Sequence, residues 1–428
     1  MQTQAMPLFE SGTTILTGNQ TVNDYITQIS INHVSDAGLV YQCCCELLFC
    51  QKDNENSYKS YRSELTTFLH WCFQVAKISP VAIKRQQISQ YVDYCLNPPL
   101  ALIGYFNVPQ FVKFDGLSKV PNPKWKPFIG KKVNGKTEPY QLSDNALKTK
   151  LAILSSFYNY LIGEDVTERN PAQAWLNHSR FSNRAKHKID QNEVNQMAFT
   201  ELQWSYIVAG AKQLAAEDPL THQRSLFLIQ LVYSCYLRVS DVSARAGYSP
   251  VMAQFVLNKH SGIWQFYLPQ SKGHKARYVS VSKALLAALS TYRGHLGLKP
   301  LPDSNDKTPL FVRHKAAGRG RDTGVINANL GVRQVRDILE NIIEHGAKCA
   351  ENDGLFDDAQ QMRKLTAHNI RHTGITHDIN IYQRPLSHVQ ADAGHESIDT
   401  TSQYLHTLSS EIAASSANRP IDALADID

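Results

Sequence analysis

Four short clusters in the second half of the chain combine residue types suited to moving a phosphoryl group. They are Tyr236-Leu237-Arg238-Val239-Ser240-Asp241, then Lys272 with Lys275 three residues on, then His368-Asn369-Ile370-Arg371-His372. The fourth is Ala393-Gly394-His395-Glu396-Ser397, continued by Thr400-Thr401-Ser402-Gln403-Tyr404-Leu405-His406. Arg238 and Arg371 offer planar forks of donors that can neutralise the shared negative charge of a phosphodiester. Such stabilisation is often the largest catalytic contribution, roughly 3–4 kcal/mol per key donor. Tyr404 is the candidate nucleophile. Its phenol, with a reference pKa of about 10, is mostly protonated at neutral pH and needs a base or an electropositive site. His368 and the arginines could supply these. Other readings exist for each part. Arg238 alone would suit a salt bridge with Asp241. His368 and His372, four apart, could be two metal ligands on one helical face. The intervening residues are Asn-Ile-Arg, however, with no HExxH glutamate, and a cationic Arg371 beside a dication is unfavourable.

Taken in order, the clusters resemble the tyrosine recombinase (phage integrase) family. That family carries "G-L-R-x-S-E-L", a hairpin "G-K-G-x-K-x-R", "H-x-L-R-H" and "L-G-H-x-S-x-x-T-T-x-x-Y". The departures here include Tyr236 for Gly, Asp241 for Glu, Ile370 for Leu and Ala393 for Leu, and none removes a reacting group. The resemblance implies catalytic roles for Arg238, Lys272, His368, Arg371, His395 and Tyr404, with Asp241 and His372 in support. Lys272 matches the family's general acid, which protonates the leaving 5′ oxygen; Lys275 is the alternative on the same turn. His395 matches a histidine or tryptophan that hydrogen-bonds the phosphate. The implied reaction joins Tyr404 to a DNA 3′ phosphate and keeps the bond energy for religation, without cofactor, metal or ATP. The implied assembly is a homo-tetramer on two duplexes, with accessory DNA-bending or directionality proteins as further partners. Integration, excision, transposition and resolution all remain open roles. A catalytically inactive DNA-binding protein of the same fold is the main alternative, and a topoisomerase-like relaxase shares the phosphotyrosine chemistry. The complete set of reacting side chains argues against the first, and the helical N-terminal half against the second.

These residues need a scaffold, and the sequence supplies one of mainly α character with a small β-sheet. Apolar stripes at helical spacing predict helices over 57–77 and 144–163, with Ser143 or Asp144 as a cap, and another running to about Cys95. Asn97-Pro98-Pro99 stops that helix, and Asn170-Pro171 reads as the end of the helical half. Helices are expected at about 199–217 and 221–244. A hairpin follows, with strands at 262–269 and 276–281 around the turn holding Lys272, and helices resume from 282. The expected domains are a helical DNA-clamping domain at 1–190, with a linker at about 172–196, and a mixed α/β catalytic domain at 197–428. Residues 1–50 are either an extra arm-binding or dimer segment or the clamp's first helices. The tail at 408–428 either frays or docks on a neighbouring protomer.

Charge and composition agree with such a role. The 428 residues carry a net charge of +6, and residues 105–150 hold nine lysines against three acids. Lys113, Lys119, Lys124, Lys126, Lys131 and Lys132, interleaved with Phe111, Phe114, Trp125 and Phe128, suit a surface that tracks phosphates. Arg180, Arg184, Lys186 and Lys188 form a second basic group. The prolines at 109, 121, 123 and 127 make the first segment read as loop. The eight cysteines contain no CxxC pair, and most read as reduced, buried small hydrophobes. No apolar run reaches the roughly 20 residues of a membrane span, and the N-terminus lacks a secretory pattern. The expectation is a protein without a membrane partner, cytoplasmic and associated with the nucleoid.

Overall fold

The computed structural model describes the chain except residues 1–4, 13, 115–117, 134, 180–196, 270–275, 317, 319–321 and 406–428. Lys272, Lys275, Arg180, Arg184, Lys186, Lys188 and the C-terminal tail therefore lie outside the described residues. The chain divides into two compact units, Met1–Lys188 and Ile189–Asp428.

The first unit is built on helices α1 (Gln20–Asn32), α2 (Ala37–Cys50), α3 (Glu55–His70), α4 (Arg85–Leu96), α5 (Asp144–Gly163) and α6 (Pro171–Asn177). Asn19, Asn54 and Ser143 cap α1, α3 and α5 by accepting from Val22, Ser57 and Ala146 backbone N–H groups, satisfying donors the helix leaves open. Residues 1–50 contribute α1 and α2 to this core, where Val22, Val40 and Leu48 are fully buried. Phe68 is the centre of an aromatic cluster with Trp71, Tyr91, Phe157 and Tyr158. Beside it the buried Glu64 accepts from Tyr91 at 2.7 Å and pairs with Lys150. Lys150 is thus part of the interior. All eight cysteines are free, and six of them are buried. No described helix is long and apolar enough to cross a membrane.

The basic segment is largely loop, as expected, but it carries short strands. Its short ladders pair β1 (Ile103–Gly104) with β4 (Phe128–Ile129), β2 (Phe111–Phe114) with β3 (Ser118–Pro121), and β5 (Lys132–Val133) with β6 (Lys136–Thr137). The prolines sit at strand ends and turns, where no ladder donor is needed. Asn170-Pro171 starts a helix rather than ending the helical half. Asn170 caps α6 through Gln173 and Pro171 takes its first position, a position that tolerates the missing N–H.

The second unit contains α7 (Glu201–Glu217), α8 (Pro219–Ser234), α9 (Lys283–His295), α10 (Val332–Asn352), α11 (Phe356–Lys364), α12 (Ala367–Asn380), α13 (Leu386–Ala393) and α14 (Ile398–Ser402). Strands β7 (Phe255–Asn258), β8 (Ile263–Leu268) and β9 (Arg277–Ser280) form one antiparallel sheet in that order. The expected hairpin is β8–β9, with Leu268 opposite Arg277. The sequence reading missed β7, a four-residue run too short to show a period. It also carried α8 to 244. The helix instead stops at Ser234, and Tyr236 turns out of it with φ +48°. Phe227, Phe255, Tyr292 and Phe311 pack the core behind the sheet.

Candidate active site

The turn after α8 presents Arg238. Its backbone N–H donates to the Oδ2 of Asp241 at 2.9 Å, and Asp241 is buried. Asp241 therefore shapes the turn rather than pairing with the Arg238 guanidinium, whose Nη1 is buried and makes no hydrogen bond. Tyr236, which stands where the family motif has glycine, carries the left-handed backbone. That conformation costs a non-glycine residue on the order of 1 kcal/mol or more. The ring is fully buried, and its hydroxyl meets Asp378 and accepts from Arg384 at 2.7 Å. These contacts hold a conformation the side chain alone would disfavour.

Helix α12 places His368, Arg371 and His372 on one face, at i, i+3 and i+4. Thr366 and Asn369 close its N-terminus. Gly374 lets the helix cross against the end of α8, because a Cβ there would collide with the Tyr233 carbonyl. Arg371 is 3% exposed. Its guanidinium donates to the carbonyl of Tyr236, to the carbonyl of Ala393 at 2.8 Å, and lies 3.1 Å from His395 Nε2.

Helix α13 ends at Gly394, whose φ of +66° reverses the chain. This left-handed ending suits glycine. A Cβ there would also lie 2.5 Å from Arg277 Nη1. The reversal brings His395 over Arg371, and His395 Nδ1 meets Thr401 Oγ1 at 2.9 Å. The following turn carries Tyr404, whose carbonyl accepts from Asn380 at 2.8 Å. The Tyr404 hydroxyl lies 2.6 Å from His372 Nδ1. The rings of His368 and His372 meet edge-on at 4.7 Å.

Electrostatics follow from this crowding. Burial, then the neighbouring His368, Arg371 and His395, push His372 down to about 4. Burial, then Arg371, Arg238 and Arg277, push His395 down to about 4. His368 is lowered by burial and by Arg371 and Arg238. These histidines are neutral at pH 7. Burial raises the Tyr404 phenol while Arg371 and Arg238 oppose that rise. Arg371 drops to about 10 through burial and repulsion from Arg238 and Arg277. A cavity of 570 Å³ opens beside Arg238 and His368, lined also by Arg336 and Glu340.

The structure thus brings Arg238, His368, Arg371, His372, His395 and Tyr404 together, with Asp241 beneath. Two features escaped the sequence reading. His372, rather than His368, touches the Tyr404 hydroxyl; its place one turn after His368 was visible, but not its rotamer. Arg277 also enters the site, and it closes the hairpin motif quoted above. Among the described residues no group of three or more His, Cys, Asp or Glu could hold a metal ion. Of the basic-segment candidates, Lys113, Lys124, Lys131 and Lys132 are exposed, while Lys119 and Lys126 are half-buried. Trp125 and Phe128 are core residues and cannot meet a ligand. Phe114 is exposed, and so is Phe106, with Lys132 Nζ 4.5 Å above the Phe106 ring.

Comparison with known proteins follows the same lines. Residues 210–411 match the phage integrase family. The tyrosine recombinase XerC of Thermodesulfovibrio yellowstonii is 27% identical over 267 residues, covering 62% of this chain and 72% of that protein. XerC of Bacillus subtilis is 24% identical over 272 residues, covering 63% and 73%. Among solved structures, the Tn1549 transposon integrase in complex with circular intermediate DNA superposes with a TM-score of 0.53 at 13% identity, covering 89% of this chain and 99% of that one. The XerH recombinase in its post-cleavage complex gives 0.52 at 14%, covering 92% and 89%.

Proposed function

This chain belongs to the tyrosine recombinases of the phage integrase family, site-specific DNA strand transferases, and from that premise we propose how its own residues act. The observation that carries the reading is the Tyr404 hydroxyl, 2.6 Å from a neutral His372 and within the field of Arg371 and Arg238. Tyr404 Oη attacks the phosphorus of a duplex DNA strand and passes its proton to His372. The bond from phosphorus to the 5′ oxygen breaks, and that oxygen takes a proton from Lys272. Arg238 and Arg371 neutralise the non-bridging oxygens, with Arg371 held in place by its two carbonyl partners. To hydrogen-bond that anion, His395 must carry its proton on Nε2, the nitrogen that accepts from Arg371 in the free protein. The product is a 3′-phosphotyrosine and a free 5′ hydroxyl, and reversal on a new strand completes exchange.

Residues 1–190, through the exposed lysines of the basic segment, would clamp duplex DNA. Four protomers would act on two sites in the cytoplasm. Integration, excision or transposition of a mobile element is the proposed context, with accessory proteins setting direction.

The direct test is a nicked suicide site, from which the cleaved fragment diffuses away. Covalent trapping is expected, and it should proceed unchanged in excess EDTA, because the arginines perform the charge neutralisation that metals perform elsewhere and the neutral histidines supply hydrogen bonds. Loss on chelation with recovery on adding a divalent ion would revive the metal reading. Tight binding without trapping would mark an inactive DNA-binding protein.

Lys272 has its own test. Lys272→Ala should lose roughly 10²–10⁴-fold on normal DNA. A 5′-bridging phosphorothioate leaves as a thiolate that needs little protonation, so most of that loss should disappear on it. Equal loss on both substrates would make Lys272 a positioning group, and rescue confined to Lys275→Ala would move the acid to Lys275.

A further inference from the structure

The site holds more positive charge than Arg238 and Arg371 supply. Arg277, the first residue of β9, is 9% exposed at its side chain and points inward. Its Nη1 donates to the Ala393 carbonyl at 2.9 Å, the same oxygen that accepts from Arg371 Nη2 at 2.8 Å. One carbonyl thus seats two guanidinium groups. Arg277 Nη2 lies 3.9 Å from Asp241 Oδ2, too far for a hydrogen bond. Its Nε and Nη2, like Nη1 of Arg238, are buried without any hydrogen-bond partner. A buried donor without a partner is unfavourable, and more so when it is charged. Among the described residues, the guanidinium groups of Arg238, Arg277 and Arg371 thus lie near one another and near the buried Asp241. The nearby Asp392 is already committed to Arg384 at 2.7 Å. Such an excess is costly in a half-buried site unless an anion completes it.

We propose that Arg277 is the third cation of the phosphate site. It is a supporting residue that neutralises the scissile phosphate through its field and fixes the Ala393 carbonyl under Arg371. The inference rests on the proposed phosphate site and assigns a residue which that reading did not use. Gly394 belongs to the same arrangement, since any side chain there would displace the Arg277 guanidinium.

Charge and shape are separable by chemistry. A methylphosphonate at the scissile position replaces one charged oxygen by methyl, so a cation that serves only to neutralise loses its purpose there. Single-turnover cleavage of both substrates would be measured for the parent, Arg277→Ala, Arg277→Gln and Arg277→Lys, with site binding by gel shift. On the phosphodiester, Arg277→Ala and the neutral Arg277→Gln should each fall about 10- to 100-fold, and Arg277→Lys should recover most of that loss. On the methylphosphonate, the neutral variants should lie within about threefold of the parent. Equal loss on both substrates, or Arg277→Lys no better than Arg277→Gln, would overturn the proposal. Should Arg277→Ala fail to fold, the Gln and Lys variants still decide. Arg238→Ala on the methylphosphonate is the control. If it too gains nothing there, the phosphate site itself has been misassigned.

Discussion

Tyr404→Phe removes one oxygen and is expected to abolish strand cleavage, by on the order of 10⁴-fold or more, while site DNA is still bound. In the proposed reaction the phenol oxygen alone forms the bond to phosphorus, and the hydroxyl of Thr401, three residues earlier, is not placed to take over. Thr401 is buried, with its hydroxyl meeting His395. The phenylalanine ring keeps the contacts with His372 and His395, whose rings lie 5.5 and 6.1 Å away. Stability should therefore change by less than about 1 kcal/mol, the size of a single hydrogen bond. Gel-shift affinity, a covalent trapping assay and thermal melting would separate these quantities. A Phe variant that still attaches covalently to labelled DNA would remove Tyr404 from the mechanism.

The two arginines are expected to fail in different ways. Arg238→Ala should reduce cleavage roughly 10²–10³-fold with little loss of stability, because its guanidinium Nη1 makes no hydrogen bond in the free protein. Arg371→Ala should lose at least as much activity and also destabilise the catalytic unit by about 2–4 kcal/mol. It leaves the Tyr236 carbonyl without this buried donor, at about 1–3 kcal/mol, leaves the Ala393 carbonyl with Arg277 alone, and empties a buried side-chain volume. Single-turnover rates beside urea melts would show the contrast. Equal stability of the two variants would contradict the seating described for Arg371.

Much of this site was legible because its residues fall in short runs with fixed local geometry. His368, Arg371 and His372 share one helical face by spacing alone. The Gly394-His395 reversal follows from a helix that must end on a left-handed residue. Stretches where tertiary contacts override local preference were not legible. Tyr236 ends α8 early because its buried hydroxyl is held by Asp378 and Arg384, some 140 positions away in the chain. β7 is defined only by its partner β8. Trp125 and Phe128 looked like ligand-facing aromatics between lysines, yet the core claims both. Arg277 stood in the open within a recognised motif. Its meaning came only when Ala393 and Asp241 were found beside it.

The central claim is that one tyrosine carries the broken DNA strand. The most direct measurement digests the protein trapped on a nicked suicide site and maps the DNA-linked peptide by mass spectrometry. The account predicts a single adduct on Tyr404 through a 3′ phosphate, with a free hydroxyl at the 5′ side of the cut. An adduct on any other residue, a 5′-phosphate linkage, or cleavage with no protein attached would contradict it.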